Sequence, residues 1–265
     1  MCEERFVRRE ALFDSVIRET SIIWLRVRSC DDRQFVMKRE EVDFSSDALE
    51  TIAYIIQNLK AVYGLPKLER GLDPLDVLIE TILSQSTTNA NSNRAFENLK
   101  HRFATWEHAR RARVSTIEAA IRSGGLAKQK SLRIKNLLNE IYKRRKSLDL
   151  SFLKSTPLDA AKQFLASFKG VGPKTVACTL LFAFNRPTFP IDTHIFRIAR
   201  RLGLIPKRCS DEDAHELLGR IIPKDRYYEV HINLIRHGRK VCRPRDPLCD
   251  ECCLIDYCQY YAARY

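Results

Sequence analysis

Apolar residues recur every three to four positions along most of this chain, the spacing of helices packed on one face. The head is different. Ser21–Ser29 and Gln34–Val42 have strand character, and Cys30-Asp-Asp-Arg33 between them reads as a turn, which predicts a β-hairpin after a short helix over 11–20. From Ser46 onward the pattern predicts helices almost throughout. Asp47–Tyr63 carries Leu49, Ile52, Ala53 and Ile56 on one face and stops at Gly64-Leu-Pro66. Asp73 caps the next helix, with Pro74 at its first position and Leu75, Leu78, Ile79, Ile82 and Leu83 as its core face. The polar stretch Ser84–Asn93 opens a helix that runs to about Phe103. Ser115-Thr-Ile-Glu118 has the form of a capping box, Gly124-Gly125 ends that short helix, and Ala127–Lys146 is long and basic on one side. Three more helices are expected beyond Asp192: to Leu202, from Ser210 to about Arg220, and from about Arg226 to Lys240.

The stretch Phe168–Ile195 carries the densest chemistry. Thr156 as N-cap and Pro157 at the first position start a helix to Phe168. Gly170-Val171-Gly172 makes a tight turn, Pro173 suits the first position of a new helix, and an apolar helix follows to about Phe184. The result is a helix–hairpin–helix. Its glycines let backbone N–H groups of Gly170 and Gly172 approach a phosphate, and the helix N-terminus adds positive potential. Lys174 stands in the first turn, where a cation opposes the helix dipole. Such surroundings favour the neutral amine that a nucleophilic lysine needs. The plain alternative is a solvated surface lysine. Asp192 follows Pro190-Ile191 and precedes a helical pattern, so it reads as an N-cap that could also steady a nearby cation.

The sequence G-V-G-P-K-T-V-A, with I-D-T-H-I-F-R placing Asp192 eighteen residues after Lys174, resembles the endonuclease III family of helix–hairpin–helix DNA glycosylases. The resemblance implies that Lys174 attacks the sugar C1′ of a flipped nucleotide and that Asp192 assists. It also implies residues that fill the gap left by the flipped base. One is Leu126, in Gly124-Gly-Leu-Ala127, which otherwise reads as an ordinary core leucine at a helix start. The other is a glutamine in Ser84-Gln-Ser86. An ungapped match puts that glutamine at Ser86, and we assign the role to Gln85, whose alternative is a solvated helix-end amide. Pro173 stands where many relatives carry a polar or basic residue, and the resemblance does not cover the first 45 residues.

Charge agrees with a nucleic-acid partner. Lys and Arg total 46 against 33 Asp and Glu, a formal net charge of +13, which points to a polyanion before a membrane. No apolar run is long enough for a transmembrane helix, and the N-terminus lacks a signal peptide's apolar core. An intracellular protein is expected, cytoplasmic or nucleoid-associated in a prokaryote, and monomeric.

Nine cysteines in a reducing compartment argue against a disulfide framework. Cys2, Cys30, Cys178 and Cys209 are scattered, and Cys178 reads as a small buried residue. Cys242-x6-Cys249-x2-Cys252-x5-Cys258 gathers four thiols that could hold zinc or an iron–sulfur cluster, with Cys253 as a spare thiol. Only one C-x-x-C knuckle is present, and the wider gaps suit a cubane. The spacing resembles the iron–sulfur loop of the endonuclease III family and so implies a [4Fe–4S] cluster. Arg243 and Arg245 between the first two ligands are expected to contact DNA phosphates, or simply to solubilise the loop.

The expected architecture is all-α: two helical lobes with a helix–hairpin–helix and a C-terminal [4Fe–4S] loop, plus the N-terminal β-hairpin. Residues 72–184 form a barrel-like lobe, residues 46–71 and 185–265 form the second, and residues 1–45 are an extension of unassigned role. The expected function is a DNA glycosylase with abasic-site lyase activity on duplex DNA carrying damaged pyrimidines or abasic sites. The alternatives are a mismatch or methylated-base glycosylase of the same fold, a non-catalytic helix–hairpin–helix DNA-binding protein, and a zinc-stabilised RNA-binding protein. A binding module would need no Lys174–Asp192 pair at catalytic spacing.

Overall fold

The structure, a computed structural model, describes residues 46–68 and 71–264, with side chains from Leu49, and the backbone of two strands. The chain divides into two units, Met1–Tyr54 and Ile55–Tyr265. In the first, β1 (Ile22–Arg28) pairs antiparallel with β2 (Phe35–Glu41), from Ile22 opposite Glu41 to Arg28 opposite Phe35. The turn expected at 30–33 and the helix expected over 11–20 lie outside the described residues. Helix α1 (Ser46–Tyr63) leads from the first unit into the second.

The described part of the second unit is helical, and local signals start most of its helices. Asp73 caps α2 (Pro74–Leu83), its Oδ1 accepting from Leu75 N at 2.8 Å and Asp76 N at 3.0 Å. Thr88 caps α3 (Asn89–Arg102) and Thr105 caps α4 (Trp106–Arg111), each accepting from the backbone N–H three residues on. Two expected starts move. Helix α5 (Val114–Ala120) begins before Ser115 and has Arg113 as N-cap, so the capping box does not form. Helix α7 (Leu158–Ala166) has Pro157 itself as N-cap, because the Thr156 hydroxyl donates to Phe152 O at 2.9 Å instead. Between them lies α6 (Ala127–Arg145).

One apolar core joins α2 to α8 (Pro173–Phe184), with Leu78, Ile82, Leu99, Ile117, Ile134, Leu138, Leu165 and Leu180 all fully buried. Each such side chain contributes about 1.5–3 kcal/mol relative to exposure. Helix α8 packs against α2 and buries everything from Thr175 to Leu181. Downstream come α9 (Thr193–Leu202), α10 (Asp211–Ile221), α11 (Tyr227–Lys240) and the short α12 (Gln259–Ala262). Helix α9 packs on α11. The segment after α1 is tied to α11 as well: Arg236 donates to Tyr63 O at 3.1 Å, Asn233 to Gly64 O at 2.9 Å and Tyr228 to Lys67 O at 3.0 Å. Among the described residues no helix is long and apolar enough to cross a membrane.

Candidate active site

Helix starts deliver the two central side chains. Gly172, extended at φ −92° and ψ 179°, is the N-cap of α8, and Pro173 fills its first position. Lys174 therefore emerges, half-buried, in the first turn. Asp192 caps α9, its Oδ1 accepting from both His194 N and Ile195 N at 2.9 Å. Both line one cleft of about 2070 Å³, together with Gln85, Ser86, Cys178, Phe182 and His231. The cleft wall is also basic, with Arg197, Arg200, Arg201, Lys207, Arg236 and Arg239. Asn89 and Arg239 are joined there by a 2.8 Å hydrogen bond.

Two buried groups register Lys174 and Asp192 at once. Burial pushes the Cys178 thiol up to about 11; Lys174 opposes that shift by charge and hydrogen bonding, and Asp192 adds to it. Burial likewise pushes His231 down to about 4, against the pull of Asp192 and with the push of Lys174. The lysine, the carboxylate, the thiol and the imidazole thus form one electrostatic neighbourhood. Cys178 is buried as expected, yet it also lies one turn along α8 from Lys174 and lines the same cleft.

The His231 shift has a consequence for stability. Its folded value lies below its ordinary value of 6.5, so the unfolded chain takes up the proton first as pH falls. Stability is expected to decline from about pH 6.5 towards about pH 4, by on the order of 1–3 kcal/mol, and to be independent of this group above that window. Thermal melts across that range check this, with His231→Asn expected to flatten the slope.

The hairpin turn is open at Gly172 and covered by Arg133 at Gly170. Gly170 has φ +84°, a left-handed conformation that favours glycine. Val171 N–H bonds Phe168 O at 3.1 Å, whereas the N–H groups of Gly170 and Gly172 have no backbone acceptor among the described residues. A Cβ on Gly172 would meet open space, but one on Gly170 would collide with the Arg133 side chain. Arg133 also donates to Gln85 Oε1, and Gln85 Nε2 donates to Thr175 Oγ1 at 3.4 Å. Gln85 is therefore held beside Lys174, whereas Ser86 is exposed with φ +53°.

Leu126 sits at the N-cap of α6 with φ +49° and is 54% exposed, so it is not a core leucine. A left-handed non-glycine costs roughly 1–2 kcal/mol, and here it holds an apolar side chain out in water. Both features suit a wedge. Leu126→Ala is expected to leave thermal stability unchanged and to slow release of a paired damaged base by about 10-fold or more, with a smaller effect on cleavage at a ready-made abasic site. Single-turnover rates on the two duplexes check this.

Lys130 was not singled out from the sequence. It is 2% exposed, and its Nζ donates to Leu83 O at 2.7 Å and Gly124 O at 2.8 Å. It thereby joins the end of α2, just before Gln85, to the turn that carries Leu126. Arg133, His215 and His231 were also missed.

At the C-terminal end, Arg201 donates to Cys242 Sγ at 3.2 Å and to Arg243 O at 2.8 Å, and His237 Nε2 lies 3.4 Å from Cys252 Sγ. Arg243 and Arg245 are exposed on the loop. Burial pushes Cys252 up to about 12, and Cys242, Cys253 and Cys258 push it further; burial also raises Cys258, with Cys242 and Cys249 adding to it. Among the described residues no three metal-binding side chains converge on a single ion. Four half-buried cysteines whose thiolate forms would repel one another, with Arg201 donating to the first, fit a multi-iron cluster, whose positive charge would offset that repulsion.

Residues 79–224 match the family described as the HhH-GPD superfamily of base excision DNA repair proteins. This chain belongs to that superfamily. It is 32% identical over 206 residues to an endonuclease III of Thermotoga maritima, covering 77% of this chain and 91% of that one. It is 43% identical over 168 residues to an Arabidopsis thaliana protein with a DNA glycosylase designation, covering 63% of this chain and spanning 57% of that protein. Among solved structures, a trapped endonuclease III–DNA covalent intermediate superposes with a TM-score of 0.71 at 26% identity, over 82% of this chain and 98% of that one. The HhH-GPD match therefore encloses both the hairpin lysine and the capping aspartate.

Proposed function

We propose that this HhH-GPD protein is a DNA glycosylase with abasic-site lyase activity that removes oxidised or otherwise damaged pyrimidines from duplex DNA. The observation that carries the reading is that Lys174 and Asp192 line one basic cleft, beside a hairpin turn whose Gly170 and Gly172 N–H groups have no backbone acceptor among the described residues. DNA lies along that cleft, with backbone phosphates on Gly170 and Gly172 and on Arg243 and Arg245. Leu126 enters the stack as the nucleotide leaves it, and Gln85 lies next to the gap.

Lys174 attacks C1′ as the neutral amine. The bond from Nζ to C1′ forms, the glycosidic bond breaks, and the base departs with its electron pair and takes up a proton. Asp192 supports the developing positive charge on the sugar and accepts the lysine proton. The C1′–O4′ bond then breaks and O4′ takes up a proton, opening the sugar to a Schiff base between Nζ and C1′. Loss of the 2′ proton follows, and β-elimination expels the 3′ phosphate and breaks the strand on that side. Cys242, Cys249, Cys252 and Cys258 would hold a [4Fe–4S] cluster, which would fasten the C-terminal loop.

Base release from a panel of duplexes tests the substrate class. Thymine glycol is expected to be released in single turnover, ahead of a G·T mismatch and of 5-methylcytosine. Release from either of the latter two alone would transfer the pocket to mismatched or methylated bases.

A further inference from the structure

Asp192 is brought to the cleft by Phe189-Pro190-Ile191, a buried segment outside any helix. The peptide unit joining Pro190 to Ile191 has one acceptor and one donor, and buried groups of this kind need partners. Neither partner is backbone. His231, on α11 and 2% exposed, places Nδ1 2.9 Å from Pro190 O. His215, on α10, places Nε2 3.2 Å from Ile191 N, and its Nδ1 lies 2.7 Å from Asp211 O. A carbonyl only accepts and a backbone N–H only donates, so the tautomers follow. His231 carries its proton on Nδ1 and donates to Pro190 O. His215 donates from Nδ1 to Asp211 O and accepts from Ile191 N–H through Nε2, which requires a neutral ring.

We propose that His215 and His231 are positioning residues for Asp192, clamping the two ends of the Pro190–Ile191 peptide so that the carboxylate is presented to Lys174. This rests on the reading of Asp192 as the carboxylate of the reaction. Rotating that peptide plane breaks both bonds at once, because they come from different helices. The plane sets the direction in which the next residue leaves. Asp192 is then fixed a second time, since both of its capping bonds go to Oδ1, leaving Oδ2 for the sugar. Asp192 and Lys174 face His231, and Asp211 faces His215. Burial lowers both imidazoles, so both are held in the neutral form that the clamp uses.

The test compares single-turnover cleavage of an abasic-site duplex with affinity for a duplex carrying a tetrahydrofuran abasic analogue. The variants are His215→Phe, His215→Gln, His231→Leu and His231→Asn, with Asp192→Asn as the reference. Gln offers an acceptor near Nε2, and Asn a donor near Nδ1. His215→Phe and His231→Leu are expected to lose about 10- to 100-fold in rate while affinity stays within about twofold, the pattern of a misplaced reacting group. His215→Gln and His231→Asn are expected to recover most of that loss. Wild-type rates in the Phe and Leu variants would overturn the clamp. So would Gln and Asn variants as slow as Phe and Leu, or rate and affinity falling together. If His231→Leu does not fold, the His215 pair alone decides. A wild-type rate in Asp192→Asn would overturn the reading of Asp192 itself, a separate outcome.

Discussion

Replacing Lys174 by Gln is expected to abolish both base release and strand cleavage, a fall of at least about 1000-fold in single-turnover rate, while DNA affinity is retained. The substitution removes the nucleophile but keeps a polar side chain of similar reach in a half-buried position. Helix α8 does not need the ammonium for its start or its core: it is started by Gly172 and Pro173, and its core face begins at Thr175. Asp192→Asn provides the companion result. Asn remains a good N-cap, so α9 should survive the change. The negative charge is lost, and with it the support of the sugar cation and the acceptor for the lysine proton. Rates measured with enzyme in excess, alongside affinity for a tetrahydrofuran duplex, separate chemistry from binding.

Lys130→Ala is expected to be the most damaging single change to the structure away from the reacting pair. The side chain is buried between two carbonyls, Leu83 O and Gly124 O, and its removal leaves both without this donor. Each unsatisfied buried acceptor costs about 1–3 kcal/mol, so a loss of roughly 2–5 kcal/mol in unfolding free energy is expected. Burial, with the nearby Arg133 charge adding to it, already lowers the lysine from its ordinary range. The native fold therefore bears the cost of burying this cation because the two carbonyls need it. The functional consequence goes beyond stability. Gln85 follows Leu83 by two residues, and Leu126 follows Gly124 by two, so both segments lose a common anchor. At a temperature where the variant is still folded, release of a paired damaged base should fall more than cleavage of an abasic duplex. Denaturant titration and the two single-turnover rates measure the two effects.

Local signals made most of the helices legible. Asp73, Asp192 and Ser210 act within three residues of themselves, so their caps stand in the sequence as they stand in the structure. Thr156 shows the limit of that logic: its hydroxyl finds Phe152 O behind it, and Pro157 becomes the cap. The Lys174–Asp192 pair was visible because both residues sit at helix starts within two residues of glycine or proline. Lys130 did leave a trace. It occupies the buried stripe of α6 between Ala127 and Ile134, a position where a charged residue must have partners. The others left none. Arg133 meets Gln85 from 48 residues away, and His231 meets Pro190 from 41, distances over which periodicity carries no information. The same holds for the cleft, whose lining brings together Gln85, Phe182 and His231 from three separate stretches of the chain.

The central claim is that Lys174 forms a covalent bond with the sugar. The direct measurement is a sodium borohydride trap on end-labelled duplexes carrying one thymine glycol or one abasic site, followed by proteolysis and mass mapping of the linked peptide. An adduct is expected on both duplexes, carried by Lys174 and absent from Lys174→Gln. An adduct on another amine, or none from protein that binds the abasic duplex, would contradict it.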